Sequence, residues 1–201
     1  MNKQAKIRVA GIDDASKILE IYKPCILNTS ITFEEDLPSV TDFKTRIQNI
    51  LKDCPFLVCE IGNEIAGYAY AYDHRSRAAY RWNKEVSVYV SPKYQRKNVA
   101  KALYTSLFSI LLKQGFANLL AGITLPNAPS VALHESFGFK QCAEYNNIGY
   151  KNNRWHSVGW WELFIQNDEK ETPKEPIPFS NFIKETEIEP YLNEGGNVIK
   201  I

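Results

Sequence analysis

The chain has 201 residues, 44% of them hydrophobic and 23% charged, with a formal net charge of +1. That length holds one domain of about 150 residues plus an appendage, with interior enough for a full core. The near-neutral balance argues against a nucleic-acid or anionic-membrane partner, and no apolar run approaches the ~18 residues that span a bilayer.

Taken in order, Ile7-Arg8-Val9 reads as a short strand. Asp13 or Asp14 can cap a helix with Ile18, Leu19, Tyr22 and Ile26 on one stripe. Asn28 to Phe33 breaks the helical period and reads as an extended loop. Ser39 and Asp42 form a capping-box pattern before a helix that places Phe43, Ile47, Ile50 and Leu51 together. Phe56 to Ile61 and Glu64 to Tyr72, joined by Gly62-Asn63, read as a hairpin. A polar loop from Asp73 to Trp82 follows.

The stretch from Lys84 to Gly115 organises the rest. Alternation puts Lys84, Val86, Val88 and Val90 on one strand face and Glu85, Ser87 and Tyr89 on the other. Pro92 ends the ladder, having no N–H to donate. Val99, Ala102, Leu103, Leu107, Ile110 and Leu111 then recur at helical spacing up to Gly115, which sits where a left-handed cap belongs. The basic turn Gln95-Arg96-Lys97-Asn98-Val99-Ala100 opens onto that helix. Free N–H groups and the positive end of a helix dipole there suit an anion, above all a pyrophosphate.

Beyond Gly115, Asn118 to Ile123 reads as a strand and Pro126 to Gly138 as a short helical unit. Phe139 to Tyr145 and Gly159 to Ile165 read as final strands, joined by the polar, aromatic stretch Asn146 to Val158. From Gln166 the prolines and acids multiply and no period persists, so residues 166–201 read as a partly flexible Pro/acid-rich extension to a domain of residues 1–165. Four cysteines (Cys25, Cys54, Cys59, Cys142) form no CxxC pair and have no nearby histidines, which points to reduced thiols and away from zinc. The first residues lack the apolar core of a signal peptide, so the cytoplasm is the expected compartment.

Gln95-Arg96 followed by Ala100, after a strand and opening a helix, resembles the acetyl-CoA signature of the GNAT superfamily of N-acetyltransferases. That pattern is usually Q/R-x-x-G-x-G/A. Here Asn98 stands at the first glycine, a departure that a residue tolerant of positive φ can accommodate. Within the superfamily the chain is most similar to the phosphinothricin and methionine sulfone or sulfoximine N-acetyltransferases. The likeness runs from about Ile7 to Phe164. It includes Thr32-Phe33, Arg75-x-Arg77-x-x-Tyr80, Leu125-Pro126-Asn127, Leu133-His134-Glu135, Gly149-Tyr150-Lys151 and Trp155-His156.

The resemblance implies an α/β fold with a mixed twisted sheet of about six to seven strands, two of them splayed parallel strands, flanked by about four helices. It implies that Val88, Tyr89 and Val90 face the pantetheine arm of acetyl-CoA. Gln95, Arg96, Lys97, Asn98, Val99 and Ala100 would wrap the pyrophosphate, and Asn127 would add a contact. Glu85, or a water it holds, becomes the general base that an ammonium acceptor needs, although a lone strand glutamate otherwise reads as a solvated edge residue. His134 is the second acid–base candidate and Tyr104 the donor to the departing thiolate; both also read as ordinary helix packing. Arg75 and Arg77 suit a carboxylate and a second oxyanion, since arginine grips such groups bidentately; their bland reading is a solvated basic loop. Phe33, Tyr80 and Trp82 would wall the acceptor's apolar part.

With no Cys–His or Ser–His–Asp pattern, direct transfer in a ternary complex is the expected route, and no metal is implied. The expected enzyme is therefore an acetyl-CoA-dependent N-acetyltransferase of a small amino-acid-like substrate, acting as a homodimer with no nucleic-acid or membrane partner. A polyamine, aminoglycoside or protein N-terminal acceptor, and a non-catalytic CoA-binding sensor, stay open as alternatives.

Overall fold

The computed structural model describes residues 5–166 and 172–200. Strand β1 (Ala5–Val9) leads through a short 3-10 turn to helices α1 (Ala15–Asn28) and α2 (Val40–Asp53). Asp14 does not cap α1 with its side chain. Its carboxylate instead accepts from the Gly11 N–H at 2.8 Å and from Arg8 at 2.7 and 2.8 Å, tying β1 to the turn. Ser39 does cap α2, its hydroxyl accepting from the Asp42 N–H at 3.1 Å.

Strands β2 (Phe56–Ile61), β3 (Glu64–Asp73) and β4 (Asn83–Val90) continue the chain to α3 (Val99–Gln114), β5 (Asn118–Leu125), α4 (Ala128–Ser136), β6 (Lys140–Lys151) and β7 (Arg154–Phe164). Together the strands form one seven-stranded sheet in the order β1-β2-β3-β4-β5-β7-β6. Every neighbouring pair is antiparallel except β4–β5, and α3 is the crossover that a parallel pair requires. The alternation in β4 divides the core as expected. Val86, Val88 and Val90 pack into the cluster around α3, whereas Tyr89 packs with α1 and α2 on the opposite face. Gly115, at φ 96°, ends α3 in the left-handed conformation.

Three expectations change. Residues 146–158 do not merely join the strands but extend them: β6 and β7 run as a long hairpin closed by Asn152 and Asn153, both at positive φ (53° and 59°). A register slip between Tyr145 and Gly149 absorbs the extra residues that blurred the alternation. The extension carries two short helices, α5 (Phe179–Glu185) and α6 (Glu189–Gly196), whose Phe179, Phe182 and Leu192 join the core around α3. Six α-helices thus lie among the described residues: the four expected, and two from the extension. The part of the extension at 167–171 lies outside the described residues. No helix among the described residues is long and apolar enough to cross a membrane.

Candidate active site

The parallel pair β4–β5 is hydrogen-bonded only at Asn83–Asn118, Lys84–Leu119 and Glu85–Leu120. Beyond that point β4 stays with β3 as far as Val90, and β5 stays with β7 as far as Leu125. The strands therefore splay, and from Val86 onward the inner edge of each has no strand partner. Buried backbone polar groups demand partners, so this wedge fits an extended ligand with amides of its own. Ser87, Val88, Tyr89, Ile123 and Asn127 line it. Val90 stands outside that lining: it pairs with Gly67 at the end of β4.

At the open end of the wedge the chain turns into α3. Arg96 and Asn98 both sit at φ 61°, and Asn98 is the residue from which α3 starts. The first turn of a helix leaves its N–H groups without intrahelical carbonyls. The turn Gln95–Ala100 thus presents backbone donors and the side chains of Arg96 and Lys97 to any anion at the helix N-terminus. Asn127 accepts from the Ser130 N–H at 3.3 Å and so caps α4 on the other wall of the wedge.

Glu85 lies at the apex, the last paired residue of β4 on this edge. Its cross-strand partner Tyr72 donates to Oε2 at 2.6 Å. His74 Nδ1 lies 2.8 Å from Oε1. Arg75 Nε donates to His74 Nε2 at 3.3 Å, which leaves Nδ1 as the imidazole nitrogen carrying the proton toward Glu85. The His74 ring stands edge-on to Trp160 at 5.6 Å and to Tyr80 at 6.3 Å. Burial, reinforced by the neighbouring carboxylate, pushes the Tyr72 phenol well up.

On the α3 side of the sheet, Tyr104 and His134 meet at the floor of the same wedge. The Ser130 carbonyl accepts from His134 Nδ1 at 2.8 Å, so Nε2 carries the lone pair and accepts the Tyr104 hydroxyl at 3.1 Å. Burial raises the Tyr104 pKa far above its ordinary value. Burial also lowers that of His134, against the opposing effect of the Ser130 carbonyl. The pair is therefore a neutral phenol bonded to a neutral imidazole.

The proposed acceptor residues are brought together unevenly. The Arg75 guanidinium lies 5.6 Å from the centre of the Tyr80 ring, and Tyr80 faces His74. Arg77 begins the short helical turn that carries Tyr80, with its side chain exposed. Phe33 is 39% exposed and packs over Gly149 beside His156. Trp82 does not join them: its indole N–H donates to the Lys174 carbonyl at 2.7 Å, and Arg81 lies over its ring, so it faces the extension. Trp160 occupies the wall expected of Trp82, lying against Gly122 of β5 and His74. Among the described residues its buried indole N–H has no hydrogen-bond partner. Tyr72, His74 and Trp160 escaped the sequence reading. Their only signal lay in the β3–β4 and β5–β7 registers, which local periodicity does not give.

A family model described as Acetyltransferase (GNAT) domain matches residues 7–172. The chain belongs to the GNAT acetyltransferase family. It is an N-acetyltransferase by that membership and by its relatives. The phosphinothricin N-acetyltransferase of Streptomyces viridochromogenes is 32% identical over 87% of this chain and 96% of its own length. The L-methionine sulfoximine/L-methionine sulfone acetyltransferase of Salmonella typhimurium is 33% identical over 83% of this chain and 97% of its own. A GNAT superfamily phosphinothricin acetyltransferase from Sinorhizobium meliloti, solved in complex with acetyl-CoA, superposes with a TM-score of 0.82. It is 31% identical over 88% of this chain and 97% of that one.

Proposed function

We propose that this GNAT enzyme transfers an acetyl group from acetyl-CoA to the α-amine of a small amino-acid-like acceptor, by direct transfer in a ternary complex. Phosphinothricin, methionine sulfone and methionine sulfoximine are the candidate acceptors, and a homodimer is the working unit. The observation that carries this reading is the Glu85–His74–Tyr72 cluster, placed where the β4–β5 wedge opens and faced by Arg75 and Tyr80.

The unpaired edge of β4 beyond Glu85 suits the pantetheine amides of the coenzyme, and the Gln95–Ala100 turn suits its diphosphate. When bound, the coenzyme supplies an activated acetyl carbonyl. The acceptor arrives as an ammonium without a lone pair, and its proton passes to the Glu85–His74 pair, directly or through one water. The freed nitrogen attacks the carbonyl carbon, the C–S bond breaks, and the sulfur leaves. Tyr104, kept as a phenol by its burial, is the donor toward that sulfur when its hydroxyl proton turns from His134 Nε2. Net, the ammonium nitrogen gives up two protons, one through the Glu85–His74 pair to solvent and a second as the amide forms, and the second balances the S–H of the departing thiol. Arg75 and Arg77 hold the acceptor's carboxylate and second acidic group, and Trp160 and Phe33 wall its apolar portion.

A screen of amine acceptors with acetyl-CoA, following release of free thiol, tests this. Amino-acid-like acceptors are expected to turn over. Arg75→Ala with Arg77→Ala is expected to raise acceptor KM at least tenfold, the scale of a lost charged hydrogen bond, with little change in acetyl-CoA affinity. Turnover confined to polyamines or peptide N-termini, or an unmoved KM, would defeat the reading.

A further inference from the structure

The region matched to the family ends at residue 172, yet the chain beyond it returns to the turn that feeds α3. Helix α6 lies against the first turns of α3 at backbone distance. Gly195 is pressed so closely on the Ala102 carbonyl and the Ser106 hydroxyl that a Cβ there would collide with both. The Ser106 hydroxyl donates to the Leu192 carbonyl at 3.1 Å, and the Ser109 hydroxyl donates to Glu194. After α6 the chain passes beside the turn itself. The Asn98 side-chain amide donates to the Val198 carbonyl at 3.2 Å, and the Lys200 N–H donates to the Lys97 carbonyl at 3.1 Å.

These contacts act on one peptide plane. In a trans peptide the C=O and N–H point in opposite directions. A donor that fixes the Lys97 carbonyl toward the tail therefore fixes the Asn98 N–H away from it. Asn98 holds a left-handed conformation that few residues other than glycine adopt, and its own side chain is anchored by the tail while it does so. Glycine, the family's usual residue here, has no side chain to make that bond. The departure from the family pattern and the presence of the extension thus meet in a single hydrogen bond.

We infer that residues 195–200 are a strap that sets the Lys97–Asn98 peptide for the coenzyme's diphosphate, with Asn98 and the Lys200 N–H as its positioning groups. The inference rests on acetyl-CoA as donor, and its failure is separable from the failure of that reading. Coenzyme A is titrated calorimetrically into the full chain, into Lys200→Ala, which keeps the N–H, and into Lys200→Pro, which deletes it. Asn98→Gly is the second probe, since it relieves the left-handed backbone while deleting the side chain that bonds Val198.

Lys200→Pro is expected to raise the Kd of coenzyme A about three- to tenfold, the scale of one lost hydrogen bond. Lys200→Ala should fall well short of that. Asn98→Gly is expected to weaken binding although it restores the family residue. At saturating acetyl-CoA the acceptor KM should move in none of them, a split that general loosening would not give. Equal effects of Lys200→Ala and Lys200→Pro would make the contribution one of charge and overturn the strap. Tighter binding by Asn98→Gly would overturn it as well. If the unaltered chain fails to bind coenzyme A, the acetyl-CoA reading falls and takes the strap with it; if it binds and Lys200→Pro binds equally, the strap alone falls.

Discussion

Both carboxylate oxygens of Glu85 are engaged before any substrate arrives, one by the Tyr72 hydroxyl and one by His74. A carboxylate so occupied is a poor sole acceptor for an amine proton; His74 offers Nε2 once the Arg75 N–H that bonds it turns to the acceptor's carboxylate. The pair thus resembles the orienting carboxylate and basic imidazole of acyl-transfer dyads. Replacing Glu85 by Gln should lower kcat/KM for the acceptor by about 10²–10⁴, since the carboxylate both orients the imidazole and stabilises its charge on protonation. His74→Gln separates orientation from proton transfer, because glutamine can still donate to Glu85 but has no basic nitrogen. It is expected to lower kcat at least about tenfold with acceptor KM nearly unmoved. Steady-state rates at saturating acetyl-CoA measure both, and a His74→Gln enzyme at full speed would leave Glu85 as the base. Glu85 itself was legible from alternation together with the family resemblance. His74 was not, because it reaches Glu85 only through a hairpin register in which Tyr72 lies opposite Glu85.

At the scale of elements, the loop after α1 is held from outside by one lysine. Lys151, at the end of β6, is 5% exposed and donates to the carbonyls of Ile26, Thr32 and Glu34 at 2.7, 2.8 and 2.7 Å. All three ammonium protons are thereby used on the end of α1 and the loop that carries Phe33, and burial lowers the lysine's pKa. The same hairpin end adds His156, 2.9 Å from the Ser30 hydroxyl, and Gly149, which leaves room for the Phe33 ring. Lys151→Met keeps the side-chain length and removes the donors. It is expected to cost about 1–3 kcal/mol of stability through carbonyls left without partners, read by denaturant unfolding. It should also raise acceptor KM more than the Kd of coenzyme A. A stability loss with acceptor KM unchanged would reduce Lys151 to a structural pin. The sequence showed the elements on either side of this loop, since helices α1 and α2 and the β2–β3 hairpin are amphipathic or turn-marked on their own. It did not show α5 and α6. Each is 7–8 residues long, with prolines at Pro178 and Pro190, and helices that short owe their stability to packing, here of α5 on α2 and of α6 on α3.

For the whole molecule, the splay between β4 and β5 followed from the family pattern, but which strand closes the sheet did not. A dimer contact through the final strand, read from Gly159 to Ile165, would need an exposed edge there. Most of it is β7, an inner strand paired with β5 on one side and β6 on the other, so it has no free edge. At this end of the sheet the edge strand is β6, twelve residues long and mostly exposed. An edge of that length is a pairing surface that monomeric proteins usually blunt. Here it carries apolar groups instead: Tyr145, Ile148 and Tyr150 are 46%, 57% and 55% exposed, and Trp155 across the hairpin is 60% exposed. Tyr150 and Trp155 stand edge to face at 5.2 Å, forming one aromatic knob beside the hairpin end that clamps the acceptor loop. A second copy of the chain is the occupant consistent with the proposed homodimer, and it would also brace the Lys151 clamp from outside. Light scattering on the purified chain should therefore give twice the single-chain mass. Tyr150→Asp with Trp155→Asp should halve it, by placing two charges where an interface core is depleted of them. The same variant should raise acceptor KM, because the hairpin end loses its brace. A single-chain mass for the unaltered protein at micromolar concentration would exclude the β6 edge as a stable dimer contact and leave Lys151 to hold the loop alone.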